Sequence, residues 1–405
     1  MQRNFTYSQL QGDERKFYLL FVFVGLVTLA GALSGYYMEV NGHHVTGMNN
    51  NVVWGVPHVF AIFLIVAASG ALNVASISSV FGKATYKPLA RLSGLLAIAL
   101  LVGGLLVLVL DLGRPDRLIV AMTTYNFKSI FAWNIFLYIG FIAIVGIYLW
   151  MMLEKRMNVF VPSVGIIALV WRLVLTTGTG SIFGFLVARQ SYDAAVFAPL
   201  FIAMSFALGL AVFILILATI SAADNRPLGD FIVLRLGKLL GIFVGVVLYF
   251  VLIQHLTNLY ATEHHGVERF VLLEGGIYTF LFWIGQILIG TLIPLLLLFY
   301  SRFNKLRSNI YLSASCVIIG GFSQLYVIII GGQAFPLVLF PGMDVKSSFF
   351  DGVVRSYIPT LPEFLLGIGG ISVAVLIIMI GLKALRFLPT SLENSVTDPN
   401  FNNAS

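Results

Sequence analysis

The stretch Asp111-Leu112-Gly113-Arg114-Pro115-Asp116-Arg117 puts four ionisable groups into seven residues, directly behind the apolar run from Leu95 to Leu110. A charge at the centre of a bilayer costs roughly 2.5–3.5 kcal/mol on insertion scales, so such a cluster marks the edge of a span or a protein-lined cavity. The composition makes the preceding run a span. Of 405 residues, 59% are hydrophobic and only 10% charged, and the mean hydropathy is +0.97. A soluble chain carries about 25% charged residues, so this one is a polytopic membrane protein. A net charge of +7 would suggest nucleic acid in a soluble protein. Here the basic residues lie mostly in short segments between apolar runs, which is a topology signal.

Runs of about 20 apolar residues mark membrane-spanning helices. Ten are read here: 17–38, 53–80, 92–110, 131–153, 160–186, 195–222, 236–258, 272–300, 309–331 and 364–388. None alternates polar with apolar residues, so the chain reads as all-α and not as a β-barrel. Residues 1–390 form a single integral membrane domain. The connection 332–363, with its four prolines, folds over the outer surface of the bundle, and 391–405 is a polar, frayed cytoplasmic tail. Ala30-Gly31-Ala32 in the first run has the look of a signal-peptidase site. The run is longer than a signal peptide's roughly 7–15 apolar residues, so a retained helix is expected.

With the N-terminus inside, sixteen Lys and Arg fall in inner segments and seven in outer ones, and Arg172 stands alone in mid-span. The bias places both termini in the cytoplasm and the Asp111–Arg117 cluster on the outer, periplasmic face of a bacterial inner membrane. Other polar groups gather at that face: Trp54 and His58 opening the second run, and Asn126, Trp133 and Asn134 at the start of the fourth. Gln190, Tyr192 and Asp193 follow the fifth run, Gln254 and His255 end the seventh, and Glu274 opens the eighth.

Each candidate has a bland reading beside the chemical one. His58, a turn inside the boundary, can bond a quinone carbonyl or exchange a proton with a quinol, or simply bond interfacial water. Asp111 is the most embedded member of its cluster and a candidate proton exchanger. Arg114, Asp116 and Arg117 can equally hold the loop as a salt-bridge network. Arg172 is too deep to snorkel easily and is followed by Thr176-Thr177-Gly178-Thr179-Gly180-Ser181, a polar stripe suited to ordered water or to close helix packing. Asn73, Ser76, Ser78, Ser79, Gln286 and Gln324 add mid-membrane polar groups that are individually more often interhelical glue. The single Cys316 excludes an internal disulfide, an iron–sulfur cluster and a c-type haem in this chain. A b-type haem needs two facing histidines inside spans, where only His58 and His255 stand, so the reading is against haem. Gly331-Gly332-Gln333 reads as the entry to a loop.

Trp54-Gly-Val-Pro-His58 and Asp111–Arg117 resemble the NrfD/PsrC family, the polysulfide reductase membrane subunits. Thr176–Phe185, Gln190-Ser-Tyr-Asp193 with Pro199-Leu-Phe201, Ile330-Gly-Gly-Gln-Ala-Phe-Pro336 and Pro359-Thr-Leu-Pro-Glu-Phe-Leu365 look most like its ten-span branch, and within it the DsrP type of sulfur-metabolism redox complexes. The resemblance covers nearly the whole chain. It implies two four-helix bundles plus flanking helices and no resident haem or iron–sulfur cluster. It also implies a menaquinone or ubiquinone site near the periplasmic face, with a docked ferredoxin-like iron–sulfur subunit. For the DsrP type it further implies a multihaem cytochrome c, a b-haem membrane subunit and a cytoplasmic iron–sulfur subunit. His58 falls close to the position of a quinone-site histidine of polysulfide reductase. Some ten-span members carry a His in the fifth span where Thr177-Gly178 stand here, which puts any proton route through that His in doubt.

The expected function is a quinone/quinol-binding membrane subunit of a respiratory oxidoreductase. Its headgroup site comprises His58, Asp111, Arg114, Trp133 and Asn134, and a proton path runs through Arg172, Thr177, Ser181 and Asp193. A proton-translocating subunit or secondary transporter is the alternative, motivated by Arg172 and the hydroxyl stripe.

Overall fold

The computed structural model describes residues 5–300, 302–336, 353–398 and 401. Among them, ten helices are long and apolar enough to cross a membrane: α1 Glu14–Asn41, α2 Val56–Ser79, α3 Ala84–Leu110, α4 Ile130–Leu153, α5 Lys155–Gly184, α6 Phe197–Ala223, α7 Asp230–Tyr260, α8 Ile277–Phe299, α9 Arg307–Ala334 and α10 Leu361–Ala384. They correspond one to one with the ten apolar runs. One end of the bundle, here the terminal end, carries a two-residue sheet that pairs β1 (Tyr7–Ser8) with β2 (Leu388–Pro389). The other, the site end, carries His58 and the Asp111–Arg117 loop.

Helices α2–α5 pack as one four-helix group and α6–α9 as a second, with α2 against α6 along the seam; α10 lies on α2 and α3, and α1 lies on α10. Burial ranks the helices by place. The apolar window of α2 is 94% buried, whereas that of α1 is 17% buried, so α2 is the core helix and α1 faces lipid. Without a hydrophobic force between helices in lipid, such packing relies on small residues that let backbones approach. At the α2–α6 crossing a Cβ on Gly70 would lie 1.5 Å from the Ser205 carbonyl oxygen, and one on Gly209 would lie 2.2 Å from the Ala71 nitrogen. Gly70→Ala therefore forces two central backbones apart and is expected to cost about 1–3 kcal/mol or more. Gly25→Ala, where an added Cβ meets nothing within 4 Å, is the control. Thermal unfolding in detergent should separate the two, and equal melting temperatures would refute the tight crossing.

Two sequence expectations change here. The segment after β2 is docked and not frayed: the Gly229 amide donates to the Leu392 carbonyl at 2.8 Å, and that of Phe231 to Asn394 Oδ1 at 3.0 Å. Arg226 clamps the same corner by donating to the Pro389 and Gln9 carbonyls. Leu392 supplies the apolar contact that a polar-looking tail hid, being 4% exposed. Residues 399–400 and 402–405 of the tail lie outside the described residues, as do 337–352 of the 332–363 connection. Gly331-Gly332-Gln333 is not a loop entry. A π-helical turn at Val327–Gly331 carries α9 onward through Ala334, and all three residues are buried.

Candidate functional site

Helix α2 begins with Pro57 in its first turn, where a missing N–H costs nothing, and this sets His58 at the site end. Asp111 caps the C-terminus of α3, and Gly113 follows with φ +71°, a left-handed turn that folds the loop back over the helix end. These two helix ends bring His58 Nδ1 to 2.7 Å from Asp111 Oδ2, with the carboxylate side chain fully buried and the imidazole 20% exposed. The contact is close in distance but not aligned as a hydrogen bond: His58 Nδ1 and both Asp111 carboxylate oxygens lack a hydrogen-bond partner among the described residues.

The imidazole forms part of the wall of a cavity of about 470 Å³. Trp54, Ile62, Leu108, Tyr138, Ile182 and Phe183 supply most of its apolar lining, and Asn134 a further polar group. Its rim includes Leu112, Phe131 and Ile139, each 44–50% exposed on the face that α3 and α4 turn toward lipid. The short helix Leu118–Thr123 roofs it. Trp54 stacks on His58 at 6.0 Å between centroids and meets Phe183 edge-on at 5.9 Å. Asn134 spends its Nδ2 on the carbonyls of Ile130 and Gly178, while its buried Oδ1 has no donor among the described residues. With Nδ1 turned to Asp111, Nε2 is the imidazole nitrogen left for the cavity. The slot thus suits a flat, apolar molecule with oxygen functions at one end, entering from the bilayer.

The wall is braced from the second half of the chain. Gln333 Oε1 accepts the amides of Val53 (2.9 Å) and Trp54 (3.0 Å), and its Nε2 donates to the carbonyls of Trp54 and Ile329. Arg189 donates to the Gln333 and Asn51 carbonyls. Glu363, in the first turn of α10 and fully buried, accepts from Tyr357 Oη (2.6 Å), Thr360 and the Gly47 amide. Tyr357 Oη in turn accepts the Val56 amide, one of the orphan donors at the start of α2. Burial, reinforced by Glu363, pushes the Tyr357 phenol above its ordinary pKa, so it stays a donor to the carboxylate.

The expected site residues separate into three groups. His58 and Asn134 line the cavity; Asp111 stands behind His58 and reaches the cavity only through it. Arg114 does not orient Asp111: its guanidinium is 62% exposed and pairs with Asp116 through two 3.1 Å bonds. That pairing holds the Asp116 carboxyl below its ordinary pKa. Trp133 is 46% exposed and donates to the Phe127 carbonyl, outside the cavity wall, so the stacking indole is that of Trp54.

The expected proton path is scattered. Arg172 is 2% exposed, donates weakly to the Ser69 carbonyl at 3.4 Å and lies over the Phe206 ring. Thr177 is half-buried and bonds back to the Leu173 carbonyl, Ser181 is buried, and Asp193 is exposed in the loop after α5. Trp54, Tyr138, Gln333, Tyr357 and Glu363 were missed as site residues. The Trp54–His58 string was the available signal for the first; Tyr357 and Glu363 lie some 300 positions from the helix end they hold.

Fold and site together define a polytopic integral membrane protein with a lipid-accessible pocket at one end. The family profile described as "Polysulphide reductase, NrfD" matches residues 44–337, and the chain belongs to that family. It is similar to the Hdr-like menaquinol oxidoreductase integral membrane subunit of Archaeoglobus fulgidus, at 27% identity over 97% of this chain and 99% of the relative. It is also similar to a selenate reductase subunit of Mesobacillus selenatarsenatis, at 23% identity over 90% and 93% of the two chains. A putative dimethyl sulfoxide reductase membrane subunit of Halobacterium salinarum shares 28% identity over 90% of each.

Proposed function

We propose that this chain is the quinone-binding membrane subunit of a respiratory redox complex. The observation that carries the reading is the His58–Asp111 pair set into the wall of an apolar, lipid-facing cavity. It is supported by three relatives named as subunits of a menaquinol oxidoreductase, a selenate reductase and a dimethyl sulfoxide reductase. A bound menaquinol or ubiquinol supplies two electrons and two protons. His58 accepts the two protons in turn at Nε2 and releases each to water at the site end, Asp111 stabilises the imidazolium beside Nδ1, and Asn134 Oδ1 accepts a hydrogen bond from a second polar group on the ring. Trp54 and Phe183 fix the ring plane, and the apolar lining keeps bulk water from the exchanging proton.

Electrons leave through a docked ferredoxin-like iron–sulfur subunit at the site end. This reading puts the site end in the periplasm and both termini in the cytoplasm of a bacterial inner membrane. A sulfur-linked complex with multihaem cytochrome c, b-haem membrane and cytoplasmic iron–sulfur subunits is the form the sequence resemblance favours. The alternative, a proton route through Arg172, Thr177, Ser181 and Asp193, draws support from the buried Arg172 alone.

The test is fluorescence quenching of the purified chain by a soluble quinone analogue. Trp54 sits in the wall, so saturable quenching is expected in the wild type, largely lost in Trp54→Phe, with affinity about tenfold weaker in His58→Ala through one lost hydrogen bond at a buried site. Quenching that is absent, or unchanged in both variants, sinks the reading.

A further inference from the structure

The molecule holds a second buried His–carboxylate pair, in the group α6–α9. His255, in the last turns of α7, places Nδ1 2.7 Å from Glu268 Oε2, and Asn258 Nδ2 donates to Glu268 Oε1 at 2.9 Å. Glu268 is 1% exposed and lies in the short helix His265–Arg269 that follows α7. The pair repeats the contact distance of His58 and Asp111, but its surroundings differ. The adjoining cavity is about 40 Å³, too small for an aromatic ring and large enough for one or two waters. Both carboxylate oxygens already face nitrogen donors, which leaves no ligand set for a metal cation.

Three buried amides extend this site into the membrane. Gln254, Gln286 and Gln324 are 4–9% exposed, and none of their side chains bonds a protein group among the described residues. Gln286 and Gln324 line the 40 Å³ cavity and also a second cavity of about 20 Å³, whose wall includes Thr291. Buried amides without a protein partner take water where there is room for it. The helices are shaped around this line. Leu281–Leu292 of α8 has π-helical hydrogen bonding, Thr291 Oγ1 donates to the Gln286 carbonyl five residues earlier, and α8 and α9 touch backbone to backbone at Gly290 and Gly320. Val244, Val247 and Val317 supply apolar wall to the smaller cavity.

We propose that His255 and Glu268 form a second proton-exchange site, opening a hydrated half-channel that runs past Gln286 and Gln324 and ends in mid-membrane. One proton is shared by the pair. It enters from water at the site end, and the line of amides and water carries it inward without any electron transfer. Of the described residues lining the cavity, only His255 and Glu268 carry titratable side chains. Arg269 turns outward to Glu274, His264 is held on the Gln190 carbonyl, and Tyr278 on α8 packs against Gly331. The inference stands apart from the quinone reading, because it concerns protonation of the chain alone.

The test is infrared difference spectroscopy of the full chain in lipid vesicles, recorded over a range of pH and then after transfer to heavy water. A carboxyl band sensitive to that transfer is expected in the wild type and should persist when Asp111→Asn is introduced. It is expected to vanish in Glu268→Gln and to shift in His255→Gln. Gln286→Leu, which leaves the pair intact, should slow proton–deuteron exchange of a deeper reporter carboxyl introduced as Thr291→Glu by about tenfold or more, the loss expected when a hydrogen-bonded link is removed. If Glu268→Gln fails to fold, the band shift in His255→Gln decides alone. A band unchanged in every folded variant at this pair, or exchange at position 291 that ignores Gln286→Leu, overturns the proposal.

Discussion

Asp111→Asn in the assembled complex is expected to lower quinol turnover by about 100-fold or more, while binding of a quinone analogue stays within about tenfold. The amide has nearly the shape of the carboxylate and can still face His58 Nδ1. What it lacks is the charge that stabilises an imidazolium and the preference for one tautomer. The loss therefore falls on the step in which His58 takes the proton, with little effect on the step in which the carrier enters. The separation is measurable as a collapse of kcat with KM little changed. Breaking a buried pair by removing one partner costs about 3–5 kcal/mol, and the isosteric change keeps that cost lower, so the melting temperature is the control for folding. His58→Gln should show the same kcat loss and should not add to Asp111→Asn in the double variant, because the two residues act as one unit. Wild-type turnover in a well-folded Asp111→Asn complex would remove Asp111 from the chemistry.

The sequence is legible wherever one side chain reports its own surroundings. Ten apolar runs gave ten helices because a bilayer imposes length and hydropathy on each span separately. His58 and Asp111 were readable as separate candidates because both lie at span ends on one face, in neighbouring runs; their 2.7 Å contact was not. Arg114 was misassigned for a related reason: a charge beside a motif looks like part of it. The salt-bridge reading of the loop, offered beside the chemical one, is the one that describes Arg114, which pairs with Asp116 two residues away. Trp133 and Trp54 carry the same signal at the same depth, and only packing against Phe183 and His58 selects Trp54.

Long-range bracing is what sequence reasoning lost. The start of α2 is held by Tyr357, Glu363 and Gln333, groups from the far end of the chain whose local sequence looks like a loop. The π-helical turn before Gln333 is equally silent, since a single extra residue per turn leaves the apolar pattern intact. Along the Arg172 stripe, Thr176, Thr177 and Thr179 each donate to or face a carbonyl four residues back in their own helix, and Thr176 also makes a side-chain contact across to a neighbouring helix, 2.6 Å from Ser69 Oγ.

Gln333→Leu carries the second large effect. The glutamine is 2% exposed and makes four hydrogen bonds, two of them accepting the Val53 and Trp54 amides just ahead of α2. Leucine fills the space but leaves two amides and the Trp54 carbonyl without partners in a buried place. Each such group costs about 1–3 kcal/mol, and the segment relieves part of that by shifting, so a net loss of about 2–4 kcal/mol is expected. The shift is the functional event, because Trp54 forms the ring face against which His58 stacks. Gln333 does not line the cavity but bonds Trp54 and Ile329, which do, and acts by positioning, so its signature differs from that of Asp111: quinone-analogue affinity falls about tenfold or more, and Trp54 fluorescence changes even without analogue. Gln333→Glu keeps both acceptor bonds but turns a carboxyl oxygen toward the Trp54 and Ile329 carbonyls, so it should recover only part of the affinity. A Gln333→Leu protein with lowered melting temperature but wild-type affinity and emission would reduce Gln333 to a structural brace with no hold on the site.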